Sequence, residues 1–337
     1  MRPGRNKIER AAWALSRSGA GAALRRLPTW DGVLTLCFHR IGGGEGSAWE
    51  RTLWDTTLEE LDRRLRFLRR HAEVIAPQEM LGLEAAPRGP HVLLTFDDGY
   101  REWATEVLPL LRSHDVKAAF FLATGFIDSP RAPWWYELPW MAREAEVEAL
   151  PSGKWLAEPL RLGGLDRDDA IEALLDAYKA LPGEHCEDFL AWVAEASGSG
   201  RCDPRAVRED WLTWDMVRAL RDGGMEIGGH TVDHPVLSRL PAESQREQIA
   251  ACARRIEAEL DRPMRMFAYP VGLPGSYGEQ TKAALRDEGV RLAFGYYGGY
   301  ARDGQPLDPL DVPRVTGGME PQILAATLAL PQVFARW

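Results

Sequence analysis

Short apolar runs alternate with amphipathic helical stretches along most of this chain, and that alternation limits the folds open to it more than any other feature. GVLTLCFHRI (32–41), HVLLTF (91–96) and KAAFFLATGF (117–126) read as buried strands. Between the first two, Leu58, Leu61, Leu65 and Leu68 recur at three- and four-residue steps, the spacing of one helix face, with Thr57 and Glu60 as a capping box at its start. Trp103, Val107, Leu108 and Leu111 mark a second helix face after HVLLTF. The rhythm resumes near residue 211, where TWDMVRALRDGG, ESQREQIAACARRIEAEL and YGEQTKAALRDEG read as helices. MEIGGH, MRMFAYP and RLAFGYY read as the strands that follow them in turn. Strand–helix–strand order predicts parallel β-structure and an α/β architecture.

The stretch from about 128 to 208 breaks this pattern. It opens on the aromatic cluster PWWYELPW and continues with charged, helix-favouring text such as DRDDAIEALLDAYKAL. It reads as a mainly helical insertion rather than a domain of its own. Residues 1–31 read as a basic, helical segment, with Arg10 and Arg17 interrupting any apolar signal-peptide core. Cytoplasmic residence is the default expectation, and peripheral membrane contact by that segment stays open as an alternative. With 50 acidic against 41 basic residues the net charge is −9, which argues against nucleic acid as a partner. Cys37, Cys186, Cys202 and Cys252 lie far apart, so neither a disulfide framework nor a zinc knuckle is expected.

Chemistry gathers where strands are expected to end. In LLTFDDGY the strand is expected to stop at Phe96, leaving Asp97 and Asp98 on the turn that follows. His230 and His234 sit four apart in GGHTVDHPVL, directly after another expected strand. In α/β barrels the carboxyl ends of parallel strands open on one face, where residues distant in sequence meet. Two histidines and one aspartate there would make a divalent metal site with open positions. The second aspartate would then be free to act as a general base. Asp97, Asp98 and Gly99 taken alone would read as a simple turn.

TFDDGY together with HTVDHPVL resembles the polysaccharide deacetylases, the family 4 carbohydrate esterases that share the NodB-homology domain. The resemblance spans roughly residues 32–126 and 211–316. It implies a distorted (β/α)7 barrel over a single catalytic domain, residues 32–337, that carries the helical insertion. It also implies a metal-dependent hydrolase that removes N-acetyl groups from an amino sugar or polysaccharide. Carried over residue by residue, Asp97 is the base, and Asp98, His230 and His234 hold the metal. One divalent ion is implied, zinc first, with cobalt or nickel as alternatives.

Two family motifs depart from their usual form. FAYPVG (267–272) stands where Arg-x-Pro-Tyr is usual, placing Ala268 at the arginine and Val271 at the tyrosine. A main-chain N–H after the proline can still face an oxyanion, so Val271 and Tyr269 remain oxyanion or substrate candidates. Phe-Ala-Tyr-Pro resembles a branch of the family acting on poly-N-acetylglucosamine-like exopolysaccharides. The late Leu-x-His motif that usually supplies the general acid is missing, and LDVPRV offers Arg314 on the same face instead. His39, in CFHRI, resembles the Tyr-His-x-Val element of that branch and is the candidate proton donor or substrate-positioning residue. Trp135 is a candidate sugar contact. Two other readings stay open: a catalytically silent carbohydrate-binding relative, and a two-His-one-carboxylate iron oxygenase.

Overall fold

A computed structural model describes residues 10–15, 30–44, 49, 51–82, 86–164 and 167–335. Seven parallel strands form its centre: β1 (Gly32–Phe38), β2 (Pro90–Asp98), β3 (Ala119–Leu122), β4 (Glu226–Gly229), β5 (Met266–Ala268), β6 (Leu292–Phe294) and β7 (Arg314–Thr316). Their spatial order is β6-β5-β4-β3-β2-β1-β7, so β1 lies between β2 and β7. A parallel bridge from Phe294 to Val312 brings the two ends of this curled sheet together. The result is a distorted (β/α) barrel.

Period-two alternation sorts the strand side chains into two apolar layers. Val33, Leu93, Ala119, Phe121, Met266 and Phe294 pack inside the curl. Leu34, Leu36, Leu94, Phe96, Phe120 and Phe267 face outward, under the helices. Helix α1 (Leu58–His71) covers them with Leu61, Leu65 and Leu68, and its expected capping box is formed by Thr57 and Glu60. The helix after β2 begins as a π-helical turn over Trp103–Val107 and continues as α2 (Leu108–Ser113).

Between β3 and β4 lie α3 (Trp134–Arg143), α4 (Arg167–Ala180) and α5 (Cys186–Ser197), packed on one another. Trp134, Trp135, Leu174 and Phe189 from these helices share one apolar cluster with the outer face of the barrel. The chain then runs through α6 (Trp214–Asp222), α7 (Ala242–Leu260) and α8 (Glu279–Asp287), each preceding or separating the later strands.

The later strands are shorter than expected, Met266–Ala268 within MRMFAYP and Leu292–Phe294 within RLAFGYY, and three further boundaries that differ bear on the site. β1 stops at Phe38, and Arg40–Ile41 leaves the barrel to pair with Trp54–Thr56. KAAFFLATGF yields only Ala119–Leu122 as strand, because the Thr124 and Gly125 amides bond to the carbonyls of Thr231 and Val232 instead of the ladder. β2 runs on to Asp98 rather than ending at Phe96, with Asp97 opposite Phe121 and Asp98 opposite Leu122. Of the basic N-terminal segment, residues 10–15 are helical, and Ala12 packs on Ala326 and Phe334. The rest of that segment up to residue 29 lies outside the described residues. No helix among the described residues is long and apolar enough to cross a membrane.

Candidate active site

Both carboxylates sit on one strand, yet they serve different surroundings. Asp97 continues the inward series of Leu93 and Thr95 and points into the mouth of the barrel. Asp98 would face outward by the same alternation. Its backbone instead takes φ +96°, a left-handed value that turns the carboxylate onto the rim, and Gly99 follows at φ +110°.

Arg314 from β7 grips Asp97 with two parallel hydrogen bonds, Nη1 to Oδ1 and Nη2 to Oδ2, each 2.7 Å long. The same guanidinium donates from Nε to the Gly295 carbonyl at 2.9 Å and from Nη1 to Thr95 Oγ1 at 3.1 Å. Its plane stands over the rings of Phe121 and Phe294. Arg314 is 1% exposed, so most of its donors are spent on the barrel and little is left for a substrate. Burial alone would raise the Asp97 carboxyl, but the charge and hydrogen bonds of Arg314, together with the neighbouring histidines, outweigh it and hold the carboxyl below the usual carboxylate range. The arginine missing at Ala268 thus has a spatial replacement from the far end of the sequence.

Asp98, His230 and His234 converge beside this pair. His230 directly follows β4, and its Nε2 lies 3.4 Å from Asp98 Oδ1; His234 Nε2 lies 3.5 Å from the same oxygen. His230 Nδ1 is 2.7 Å from the Ala268 carbonyl, which can only accept, so that nitrogen carries the proton. The Nε2 lone pair then faces the centre, the arrangement of a metal-ligating imidazole. Burial, together with the neighbouring His230, pulls His234 down to about 3 and keeps it neutral. Burial works against ionised Asp98, yet the facing imidazoles of His230 and His234 and the charge of His39 hold its carboxyl well below the usual range.

These residues fit a divalent ion. Asp98 Oδ1 is buried and makes no hydrogen bond among the described residues, although two ring nitrogens face it. Ligands about 2.1 Å from a tetrahedral zinc stand roughly 3.4 Å apart, close to the spacings found here. The backbone pays for the convergence with strain: Thr231 has φ +69° and His234 φ +55°. The Thr231 hydroxyl accepts the His234 amide at 2.9 Å, and Gln248 Oε1 accepts the Val232 and Asp233 amides at 3.0 Å each.

His39 approaches from the other side. Its Nδ1 lies 3.3 Å from Asp55 Oδ2, which also accepts its main-chain N–H. Burial would lower the imidazole, but the Asp55 hydrogen bond and charge raise it to about 9. Its side chain keeps 20% of its surface open to the cleft. Asp55 is a residue that sequence reasoning missed. It lies on Trp54–Thr56, beside the Arg40–Ile41 piece that follows His39, and no local motif marks it.

The remaining candidates line a cleft of about 930 Å³ that contains all these groups. Val271 has φ +65°, and among the described residues nothing accepts its N–H. Its loop is locked by hydrogen bonds from Gly272 N to the Pro270 carbonyl and from Tyr296 N to the Gly272 carbonyl. Tyr269 is a cleft wall: its hydroxyl donates to the Leu310 carbonyl at 2.7 Å and its ring stacks on Tyr277. Trp135 is buried behind His234, with ring centroids 4.2 Å apart and its Nε1 donating to the Tyr100 hydroxyl.

The profile of the polysaccharide deacetylase family matches residues 84–293. The chain belongs to this family. YxkH of Bacillus subtilis is 27% identical over 108 residues, which is 32% of this chain and 38% of that protein, so the match spans well under half of that relative. IcaB from Ammonifex degensii superposes with a TM-score of 0.57 at 20% identity, covering 90% of this chain and 97% of its own. The Streptococcus pyogenes deacetylase PplD, solved with acetate, gives 0.55 at 16% identity over 91% and 99%. At these identities the superpositions establish a shared fold.

Arg314→Met should cost roughly 3–5 kcal/mol in urea unfolding at pH 7, because it strands the Asp97 carboxylate without its counter-charge. A depressed carboxyl contributes stability in full above the unfolded value of about 3.9 and loses it as the pH falls through the folded value. The cost should therefore shrink between pH 7 and pH 3, and an equal cost at both would contradict the pairing.

Proposed function

We propose that this deacetylase-family protein is a divalent-metal-dependent N-deacetylase of amino sugars or their polymers. The observation that carries the reading is the separation of the two adjacent carboxylates. Asp98 joins two imidazoles at a gap sized for a cation, while Asp97, paired with Arg314, faces the same cleft outside that group. A divalent ion held by Asp98, His230 and His234, zinc first, would polarise the acetamide carbonyl and acidify a water near neutral pH.

The chain's own groups then divide the proton traffic. Asp97 accepts a proton from the attacking water as its oxygen bonds to the acetamide carbon. The Val271 N–H donates to the oxygen that becomes negative at the tetrahedral stage. His39, kept protonated by Asp55, hands a proton to the departing nitrogen as the C–N bond breaks. Acetate and a free amino sugar are the products. The same ligand triad in an iron oxygenase would leave Asp97, Arg314, His39 and Asp55 without work.

Acetate and amine release should be measured on a panel of N-acetylated glycans after chelation and after return of zinc, cobalt or nickel. Release is expected from at least one glycan, lost on chelation and restored by metal; no release from any member under any metal would refute the enzyme reading. The proton donor makes a further prediction. With His39 raised to about 9, kcat/KM should fall above about pH 9, and Asp55→Asn should move that alkaline limb toward the ordinary histidine value of about 6.5. An alkaline limb left in place by Asp55→Asn would show that His39 is not the acid.

A further inference from the structure

A second group of donor atoms stands in the mouth of the barrel, outside the Asp98–His230–His234 cluster. Cys37 near the end of β1 and His39 just beyond it are two residues apart, and Asp97 lies beside them on β2. The Cys37 sulfur, a ring nitrogen of His39 and a carboxylate oxygen of Asp97 all lie within 4.8 Å of one another. Cys37 Sγ is 3.5 Å from Asp97 Oδ2. The deacetylation steps above give Cys37 no role.

We propose that Cys37, His39 and Asp97 form a second, inhibitory site for a thiophilic divalent cation, zinc above all. A thiolate with an imidazole and a carboxylate is a donor set that zinc takes readily and magnesium does not. When the ion binds, S–metal, N–metal and O–metal bonds form, and the Cys37 thiol proton and any proton on that His39 nitrogen pass to solvent. The local charge then balances. The Cys37 thiolate, Asp97 and Asp55 carry three negative charges against the one positive charge of Arg314, leaving two for the cation. Arg314 keeps its bond to Oδ1 while Oδ2, the oxygen beside the sulfur, turns to the ion.

Occupation would take the proposed base and the proposed proton donor out of action together. Inhibition by excess zinc therefore rests on the proposed function, whereas binding at the site does not. Two readouts separate the two. In equilibrium dialysis against excess zinc, the unsubstituted protein should hold one more ion per chain than Cys37→Ser. In a cobalt titration, the second equivalent should bring a thiolate-to-cobalt charge-transfer band in the near ultraviolet that Cys37→Ser lacks. Acetate release should rise to one equivalent of zinc and then fall. In Cys37→Ser it should reach the same level and resist excess zinc at least about tenfold better, the least that loss of a metal-site partner costs. Excess magnesium should not inhibit either protein. Cys37→Ala repeats the comparison where a buried serine hydroxyl impairs folding. Equal zinc content in wild type and variant, a band that survives in Cys37→Ser, or inhibition of both proteins at the same zinc concentration would overturn the site.

Discussion

A guanidinium and a carboxylate are buried together at the mouth of the barrel, and much of the rest of the molecule is arranged to make that tolerable. Removing two charges from water is costly, and the cost is met only when geometry is good and the remaining donors are satisfied. Arg314 and Asp97 meet both conditions: the pair is bidentate, and Thr95 and Gly295 accept further bonds from the guanidinium. Because β1 separates β2 from β7, the pair also reaches across a strand and links the segment that closes the sheet to the segment that bears both aspartates. Closure of the barrel and the ionised state of Asp97 are in this sense one interaction.

Strain is concentrated around the same point. Among the described residues, six non-glycine positions have positive φ, and four of them, Asp98, Thr231, His234 and Val271, belong to the site. Such conformations cost about 1–3 kcal/mol each and persist only where surrounding structure over-determines them. Thr231 and Val271 are β-branched and poorly suited to left-handed backbone. The carbonyls of Thr231 and Val232 are bound by amides of the segment after β3, and the Gly272 carbonyl by Tyr296. Helix α7 contributes Gln248, which caps the turn between the two histidines. Rigid neighbours thus impose loop shapes that the local sequence would not choose.

The order of strands and helices was legible in the sequence because its signals are local: apolar runs of four to eight residues, helix-spaced leucines and a capping box. Asp97, Asp98, His230 and His234 could be singled out because they stand at or just past the carboxyl ends of two strands, where a parallel barrel collects reactive groups. The partner of Arg314 and the part played by Asp55 were not legible, because both depend on long-range contact. Arg314 lies 217 positions from Asp97, and LDVPRV contains nothing that names its partner. Asp55 meets His39 only because the chain breaks after Phe38 and a two-residue strand pairs with Trp54–Thr56. The strand boundary was misplaced at Phe96 for a related reason: parallel pairing with β3 continues through Asp98, and a positive φ, rather than the end of the ladder, redirects the second carboxylate.

The central claim is that two neighbouring aspartates on one strand hold different offices, one for the ion and one for the proton. Metal content and acetate release measured side by side for Asp97→Asn and Asp98→Asn test it most directly. Asp97→Asn is expected to bind one equivalent of zinc at the rim and to release no acetate, whereas Asp98→Asn is expected to lose the zinc and the activity together. Loss of zinc from Asp97→Asn, or full zinc retention by Asp98→Asn, would contradict the division of labour.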